Sequence, residues 1–290
     1  MEQVGWSDRL GRVGAWAGVT AIDAAAAVEI EALGYGTVWQ GGSPRADLRR
    51  AEELLDATES LHVATGVVNI WKADAGELAD AYHRVADRHP GRLLLGIGSG
   101  HREATPHRER PLRAMQRYLD VLDARGVPVG DRLVSALGPK MLAIAAERSA
   151  GTHPYLTVPS QTAGMRAVLG AGVLVAPEQT VVLDEDDDGA RSAARAFLHR
   201  YLQLSNYADT MRRAGFGDAD LADGGSDALV DRIIVHGSAA AVARGIRAHL
   251  EAGADHVCVQ VVPGDGALAG LAVLAGELED ELRTAGAVDH

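Results

Sequence analysis

The sequence predicts an α/β fold, a single (β/α)8 TIM barrel that takes up residues 1–290. Eight short apolar runs alternate with longer Ala-rich stretches of helical periodicity, which is the pattern of successive βαβ units. The apolar runs have no polar face, as is typical of a parallel sheet covered on both sides. The length also suits one barrel, which takes about 250 residues with variable insertions. An open doubly wound sheet is the alternative architecture.

The first half of the chain supplies four strands and the helices between them. Strands are predicted at 12–16, 37–40, 61–70 and 93–98, and helices at 20–33, 47–59 and 74–88. Thr20 is the expected cap of the first helix and Gly34 its end. Pro90 and Gly91 stop the third helix, because neither residue continues a helix well.

The second half repeats the alternation. Its strands are predicted at 133–137, 152–158, 173–183 and 256–262. Helices are predicted at 112–125, 139–149, 161–169, 189–204, 207–213, 226–235, 238–251 and 268–285. An insert around 184–235 precedes the last strand, and no Pro/Gly/Ser-rich linker divides the chain into two domains.

Composition excludes several classes of function. A net charge of −12 disfavours nucleic acid and anionic membranes as partners. No apolar run approaches about 18 residues and no signal sequence is recognisable, so we expect a cytoplasmic protein without membrane contact. The single cysteine, Cys258, lies in an apolar run and is predicted to be a buried small side chain. We expect no metal site, because no Cys/His set has the spacing of zinc ligands.

Chemistry in such a barrel lies at the carboxyl ends of the strands. After strand four comes GIGSGH, in which Ser99 and Gly100 let a flat ring approach the backbone and His101 lies at its edge; a tight turn is the alternative. Strand three contains Gly66, which suggests a bulge, and ends near the polar Asn69.

Strands five to seven supply further candidates. Gly138 and Pro139 open a helix whose N-terminus could bind an anion, or could be an ordinary helix start. Strand six contains His153 and Tyr155, which could bind phosphate or substrate at the barrel mouth, or could be structural. Glu178 lies in an apolar strand, either as a structural charge or as a site carboxylate. Further candidates for the walls of a substrate pocket are Trp16, Trp39, Gln40 and Trp71.

Seven segments, in this order along the chain, resemble the luciferase-like monooxygenase superfamily. They are LGYGTVW at 33–39, ATGVVNIW at 64–71, PGRLLLGIG at 90–98, ALGP at 136–139, GTHPY at 151–155, APEQ at 176–179 and HGS at 236–238. The chain looks most similar to the actinobacterial branch that uses coenzyme F420, a deazaflavin. This resemblance implies the (β/α)8 barrel fold and an F420-dependent oxidoreductase.

The resemblance also implies roles for particular residues. Gly66 and Val67 would form a bulge behind the deazaflavin ring, often with a non-proline cis peptide, and Asn69 would face the ring or its side chain. Cofactor contacts are further implied for Ser99, Gly100, Ala136, Gly138, Pro139 and His153. His101 would exchange the proton that accompanies hydride transfer, because histidine titrates near neutral pH.

The sequence departs from the family pattern in two places. Some relatives have an Asp-His pair after strand two, where this chain has Gln40 and a Gly-Gly-Ser segment. Where relatives often have an acid after strand four, this chain has His101. The redox role is therefore a firmer expectation than any particular substrate.

Three functions remain open from sequence. The first is an F420-dependent reductase or dehydrogenase that transfers hydride to or from a small organic substrate. The second is an FMN-dependent monooxygenase of the same fold, and the third is a barrel that binds a ligand without redox activity. The sequence does not determine the substrate or the direction of reaction, and it leaves a homodimer open.

Overall fold

The computed structural model describes residues 5–101, 103 and 109–283. Within these ranges the strands are β1 Val13–Gly18, β2 Thr37–Gly41, β3 His62–Gly66, β4 Val68–Asn69, β5 Leu93–Gly98, β6 Arg132–Val134, β7 Gly151–Thr152, β8 Leu174–Val175, β9 Glu178–Val182, β10 Val235–His236 and β11 Val257–Val261. Every recorded pairing between them is parallel.

Helices connect most of these strands. They are α1 Trp6–Arg9, α2 Ala24–Ala32, α3 Arg49–Ala57, α4 Ala75–Arg88, α5 Pro111–Ala124, α6 Pro139–Arg148, α7 Pro159–Leu169, α8 Asp187–Leu202, α9 Ser205–Arg213, α10 Asp218–Leu221, α11 Asp227–Ile233, α12 Ala239–Glu251, α13 Ala267–Glu277 and α14 Glu279–Arg283. Short 3₁₀ turns occur at Val129–Asp131, Ala222–Gly224 and Gly264–Gly266. Among the described residues, no helix combines the length and the apolar character that a membrane span needs.

The strands close into a barrel, which confirms the predicted fold class. The sheet runs β11-β1-β2-β3-β5-β6-β7-β8, with β4 continuing β3 beside β5. The ring closes because β8 pairs with β7 while β9, which follows β8 directly in the chain, pairs with β11. β10 pairs with the end of β9, and its first residue, Val235, was predicted to be the last residue of the helix at 226–235.

Three predicted strands are interrupted or shortened, each for a local reason. Strand three breaks between β3 and β4 at a cis peptide bond between Gly66 and Val67, as the resemblance implied. Strand seven breaks into β8 and β9 around Pro177, which has no N–H to donate to a neighbouring strand. Of the predicted strand six only β7 forms. The irregular segment after it contains Pro154, and also Leu156, which has a φ of +54°.

Helix ends follow side-chain caps. Asp23, not Thr20, caps α2 by accepting from the Ala26 amide at 2.9 Å. Asp74 and Ser238 cap α4 and α12 in the same way. The predicted closing helix is two helices, α13 and α14, joined at Leu278. Cys258 is buried, as predicted.

Candidate functional site

A cavity of about 690 Å³ opens at the carboxyl ends of the strands. This volume lies in the usual range of small-molecule sites, about 300–1,000 Å³. The predicted site residues that line it are Trp16, Gly66, Val67, Asn69, Ser99, Gly100, His101, Gly138, His153 and Tyr155. The topology brings them together because parallel strands all end on the same side of the barrel.

Glycines leave the backbone open on several sides of the cavity. A Cβ on Gly138, on Gly18 or on Gly42 would meet no atom of the described residues within 4 Å, so these residues leave space open beside each of the three glycines. Gly100 is packed more closely, because a Cβ there would lie 2.5 Å from Nδ2 of Asn69. Its φ of +54° also favours glycine.

One wall of the cavity is aromatic, although only 4% of the chain is aromatic. The Tyr155 ring packs against Trp16 at 5.5 Å, Tyr201 at 5.4 Å and Tyr207 at 6.0 Å between ring centroids. The Tyr155 hydroxyl donates to Oε1 of Gln260 at 2.7 Å and lies 3.0 Å from the Tyr201 hydroxyl. This wall can hold the apolar faces of a ligand while the hydroxyls of Tyr155 and Tyr201 keep their own partners.

The residue His101 lies at the cavity and is half-buried. Its Nδ1 donates to Oδ1 of Asn206 at 2.9 Å, and its ring packs 5.1 Å from Tyr207. The nearby Glu103 accepts from the Ser205 amide at 3.0 Å, and its hydrogen bonds with Ser205 lower the pKa of this carboxyl to about 2. Two contacts therefore join the segment after β5 to the start of α9, and they hold His101 in place.

The insert before the last strand supplies much of the cavity lining, which the sequence prediction missed. Arg200 and Tyr201 come from α8, and Asn206, Tyr207 and Arg213 come from α9. The two tyrosines, in a chain with so few aromatic residues, are the sequence signal that could have identified this role.

A positive side chain lies next to the start of α6. Arg213 donates to the carbonyl of Leu137 at 3.2 Å, one residue before Gly138, which is the N-cap of α6. No side chain in the described part of the chain caps this helix. A helix N-terminus and a guanidinium both favour an anionic group, so this end of the cavity suits a phosphate or carboxylate.

A second cavity of about 350 Å³ adjoins the first and shares Trp16, Gly18, Arg200 and Gln260 with it. The rest of its lining is almost entirely apolar: Ala17, Ala21, Ala193, Ala196, Phe197, Val261, Val262, Pro263, Gly264 and Ala267. The guanidinium of Arg200 lies 5.1 Å from the centroid of the Phe197 ring, at the junction. An apolar part of a ligand could extend into this space.

Six sequence-predicted site residues do not line the main cavity. Trp39 is fully buried, and its Nε1 donates to Nε2 of His256 at 2.9 Å. Trp71 donates instead to the carbonyl of Ser99 at 2.6 Å. The remaining four are Gln40, Ala136, Pro139 and Glu178.

These four have other surroundings. Gln40 and Ala136 are buried, Ala136 among apolar side chains, and Pro139 is the exposed first residue of α6. Glu178 is 1% exposed and accepts from the hydroxyl of Thr180 and from the Leu156 amide at 3.3 Å. Burial raises the pKa of Glu178 to about 8.

Comparisons with known proteins identify the fold. No protein-family model matches the sequence, and no curated protein does. Solved structures do match. An F420-dependent secondary alcohol dehydrogenase in complex with an F420-acetone adduct aligns with a TM-score of 0.72 at 13% identity, over 95% of this chain and 99% of the other.

Two further structures have the same architecture. The coenzyme F420-dependent tetrahydromethanopterin reductase from Methanopyrus kandleri aligns with a TM-score of 0.71 at 15% identity, over 94% of this chain and 99% of the other. The other is the oxygenating constituent of 3,6-diketocamphane monooxygenase from Pseudomonas putida, a type II Baeyer–Villiger enzyme in complex with FMN. It aligns with a TM-score of 0.67 at 15% identity, over 93% of this chain and 98% of the other. The chain therefore has the luciferase-like (β/α)8-barrel fold.

Proposed function

We propose that this protein is an F420-dependent oxidoreductase that transfers hydride between the deazaflavin and a small organic substrate. One observation carries the proposal: seven of the positions to which the family resemblance gives cofactor contacts border a single cavity. They are Gly66, Val67, Asn69, Ser99, Gly100, Gly138 and His153. Two structural neighbours that align over nearly the whole chain are F420-dependent enzymes.

The residues present fit a flat ring with an anionic side chain. The open backbone at Gly138 leaves room for the side chain of such a ring. Arg213 and the start of α6 suit the negative charge of a phosphate. Two buried nitrogens, in Trp16 and His153, have no hydrogen-bond partner among the described residues, and both residues line the cavity.

When bound, the deazaflavin supplies a carbon centre that accepts or delivers a hydride. The protein's own groups orient the reactants, exclude water and move the proton. Tyr155 and Tyr207 form an apolar wall that shields the reacting faces from water. His101, half-buried and held by Asn206, exchanges the accompanying proton with the substrate.

Titration of the purified protein with F420 and, separately, with FMN tests the cofactor. We expect saturable quenching of F420 fluorescence and much weaker binding of FMN. Tight binding of FMN alone would replace the proposal with an oxygen-consuming monooxygenase, the activity of the FMN-bound neighbour. Binding of neither cofactor would favour a ligand-binding barrel without redox activity.

Substitution of the proposed proton-exchanging residue tests the catalytic role. With F420 bound, His101→Ala should lower turnover by about 10²- to 10⁴-fold, the usual contribution of a general acid or base. The affinity for F420 should change little. The matched control is His199→Ala, an exposed histidine on α8 that does not line the cavity. Full turnover in His101→Ala would refute the proton role.

A further inference from the structure

Two buried nitrogens at the cavity lack a hydrogen-bond partner in the part of the chain that the structure describes. They are Nε1 of Trp16, whose residue is 7% exposed, and Nε2 of His153, whose residue is 1% exposed. Both nitrogens lie beside Gly66. A Cβ built on Gly66 would lie 2.8 Å from the Trp16 nitrogen and 3.2 Å from the His153 nitrogen. Because buried polar atoms are normally paired, a partner outside the protein is expected between them.

The two nitrogens have opposite hydrogen-bonding character. Nδ1 of His153 lies 2.8 Å from the carbonyl oxygen of Ala176. A carbonyl can only accept, so Nδ1 carries the proton. Burial lowers the pKa of His153 to about 4, so the ring is neutral at pH 7 and Nε2 presents a lone pair. The indole Nε1 of Trp16 can only donate.

The other fully buried histidines of the barrel have both ring nitrogens paired. His249 contacts the Thr162 hydroxyl at 2.8 Å and Oε1 of Gln179 at 2.9 Å. His256 contacts the Gly11 carbonyl at 2.7 Å and receives the Trp39 N–H at 2.9 Å. Among the fully buried histidines that the structure describes, His153 alone keeps an unpaired ring nitrogen, and it lines the cavity; the half-buried His236 has one too, at Nδ1, away from the cavity.

We propose that Trp16 and His153 form a binding site for the hydroxyl group of a small molecule. A hydroxyl oxygen accepts from the Trp16 N–H and donates its own proton to Nε2 of His153, so one atom satisfies both nitrogens. A ketone, ether or carboxylate oxygen can only accept, and an ammonium group can only donate. Both nitrogens lie beside Gly66, close enough together for one oxygen atom to bond to both.

The hydroxyl belongs either to the substrate or to the cofactor side chain. The inference deepens the proposed function, and it rests on that function only for the choice between these two sources. The binding site itself is testable without any cofactor.

The test uses protein with ¹⁵N-labelled histidine, and His153→Phe assigns the resonance. Cyclohexanol is the probe, and cyclohexanone is its size-matched control, which accepts but cannot donate. We expect cyclohexanol to shift the Nε2 resonance of His153 and cyclohexanone to leave it in place. Trp16→Phe should weaken cyclohexanol binding about tenfold, which corresponds to about 1.4 kcal/mol.

Two variants separate binding from folding. Trp6→Phe removes an indole N–H that donates to Asp131 at 3.1 Å and does not line the cavity, so it should leave cyclohexanol binding unchanged. His153→Gln keeps an acceptor near the cavity and should retain part of the binding that His153→Phe loses. Thermal unfolding followed by circular dichroism checks that each variant is folded.

The outcomes distinguish the inference from the proposed function. A shift of the His153 resonance with F420 and none with cyclohexanol would support the site and assign the hydroxyl to the cofactor. A shift with cyclohexanol in a protein that binds neither F420 nor FMN would support the site and refute the proposed function. Equal shifts with alcohol and ketone, or no shift with any of these ligands, would overturn the inference.

Discussion

Replacement of Glu178 by glutamine should change how stability depends on pH. The folded protein keeps this carboxyl protonated up to a pKa of about 8, because burial disfavours the charged form. The unfolded chain loses the same proton near pH 4.5. Between these values the folded state binds more protons, so the free energy of unfolding falls as pH rises. The contribution of Glu178 to stability is therefore fully present below about pH 4.5 and is lost as the pH rises through 8.

The size of the effect follows from the shift. Each pKa unit corresponds to about 1.4 kcal/mol, so the stability lost between the two pKa values of Glu178 is at most about 5 kcal/mol. Glutamine does not titrate, and its amide can still pair with the Thr180 hydroxyl, which both donates and accepts. Glu178→Gln should therefore be the more stable protein at pH 8.5, by an amount that shrinks toward acid pH.

Four histidines, three of them buried and His62 partly buried, act in the opposite direction. Burial lowers the pKa of His62, His153, His249 and His256 to about 4 in each case, so they make stability rise with pH up to about 6.5. They are present in both proteins and cancel in the difference between variant and wild type. Above pH 6.5 their contribution is constant, and Glu178 governs the slope of the wild-type curve.

Urea unfolding at pH 5.0, 6.5 and 8.5, followed by circular dichroism, measures this difference. The control is Glu147→Gln, an exposed carboxyl on α6, which should give a curve parallel to wild type. If the curves of Glu178→Gln and wild type stay parallel within about 0.5 kcal/mol, the reasoning is refuted.

Three further substitutions test the barrel and the cavity. Gly96→Ala should cost about 3 kcal/mol of stability or abolish folding, since its Cβ would lie 1.9 Å from the Thr65 carbonyl oxygen; wild-type stability in urea would contradict this. Gly138→Ala should keep the wild-type Tm but weaken F420 binding, measured by fluorescence, about tenfold, or about 1.4 kcal/mol. The control is Gly130→Ala, which is also in open space but outside the cavity and should change neither the Tm nor F420 binding. Trp39→Phe should lower stability by about 1–3 kcal/mol, because Nε2 of His256 loses its donor, and an unchanged urea midpoint would argue against that bond.

Local patterns account for what the sequence predicted well. β5 begins and ends at the predicted residues because an apolar run is bounded on both sides by turn-forming residues. α6 begins at Pro139, as expected of proline in a first helical turn. These signals lie within a few residues of the elements they specify, so no knowledge of distant contacts is needed to read them.

Contacts between distant residues account for what the sequence did not predict. Trp39 reads as a pocket residue because it lies near a strand end, but His256, 217 residues away in the chain, pairs with its N–H inside the barrel. His249 on α12 is also buried by distant parts of the chain, and its ring nitrogens pair with Thr162 and Gln179. The role of Tyr207 depends on how the insert folds over the barrel, which hydrophobic periodicity does not specify.

The two histidines of the cavity differ in exposure, and this difference separates their proposed roles. A group that exchanges a proton must reach solvent or a relay to it, and half-buried His101, held by Asn206, meets that requirement. His153 is buried and its pKa is lowered to about 4, so it stays neutral and suits a fixed hydrogen bond. Loss of His101 should therefore reduce turnover with little change in the affinity for F420, whereas loss of His153 should weaken binding of the ligand that carries the hydroxyl group.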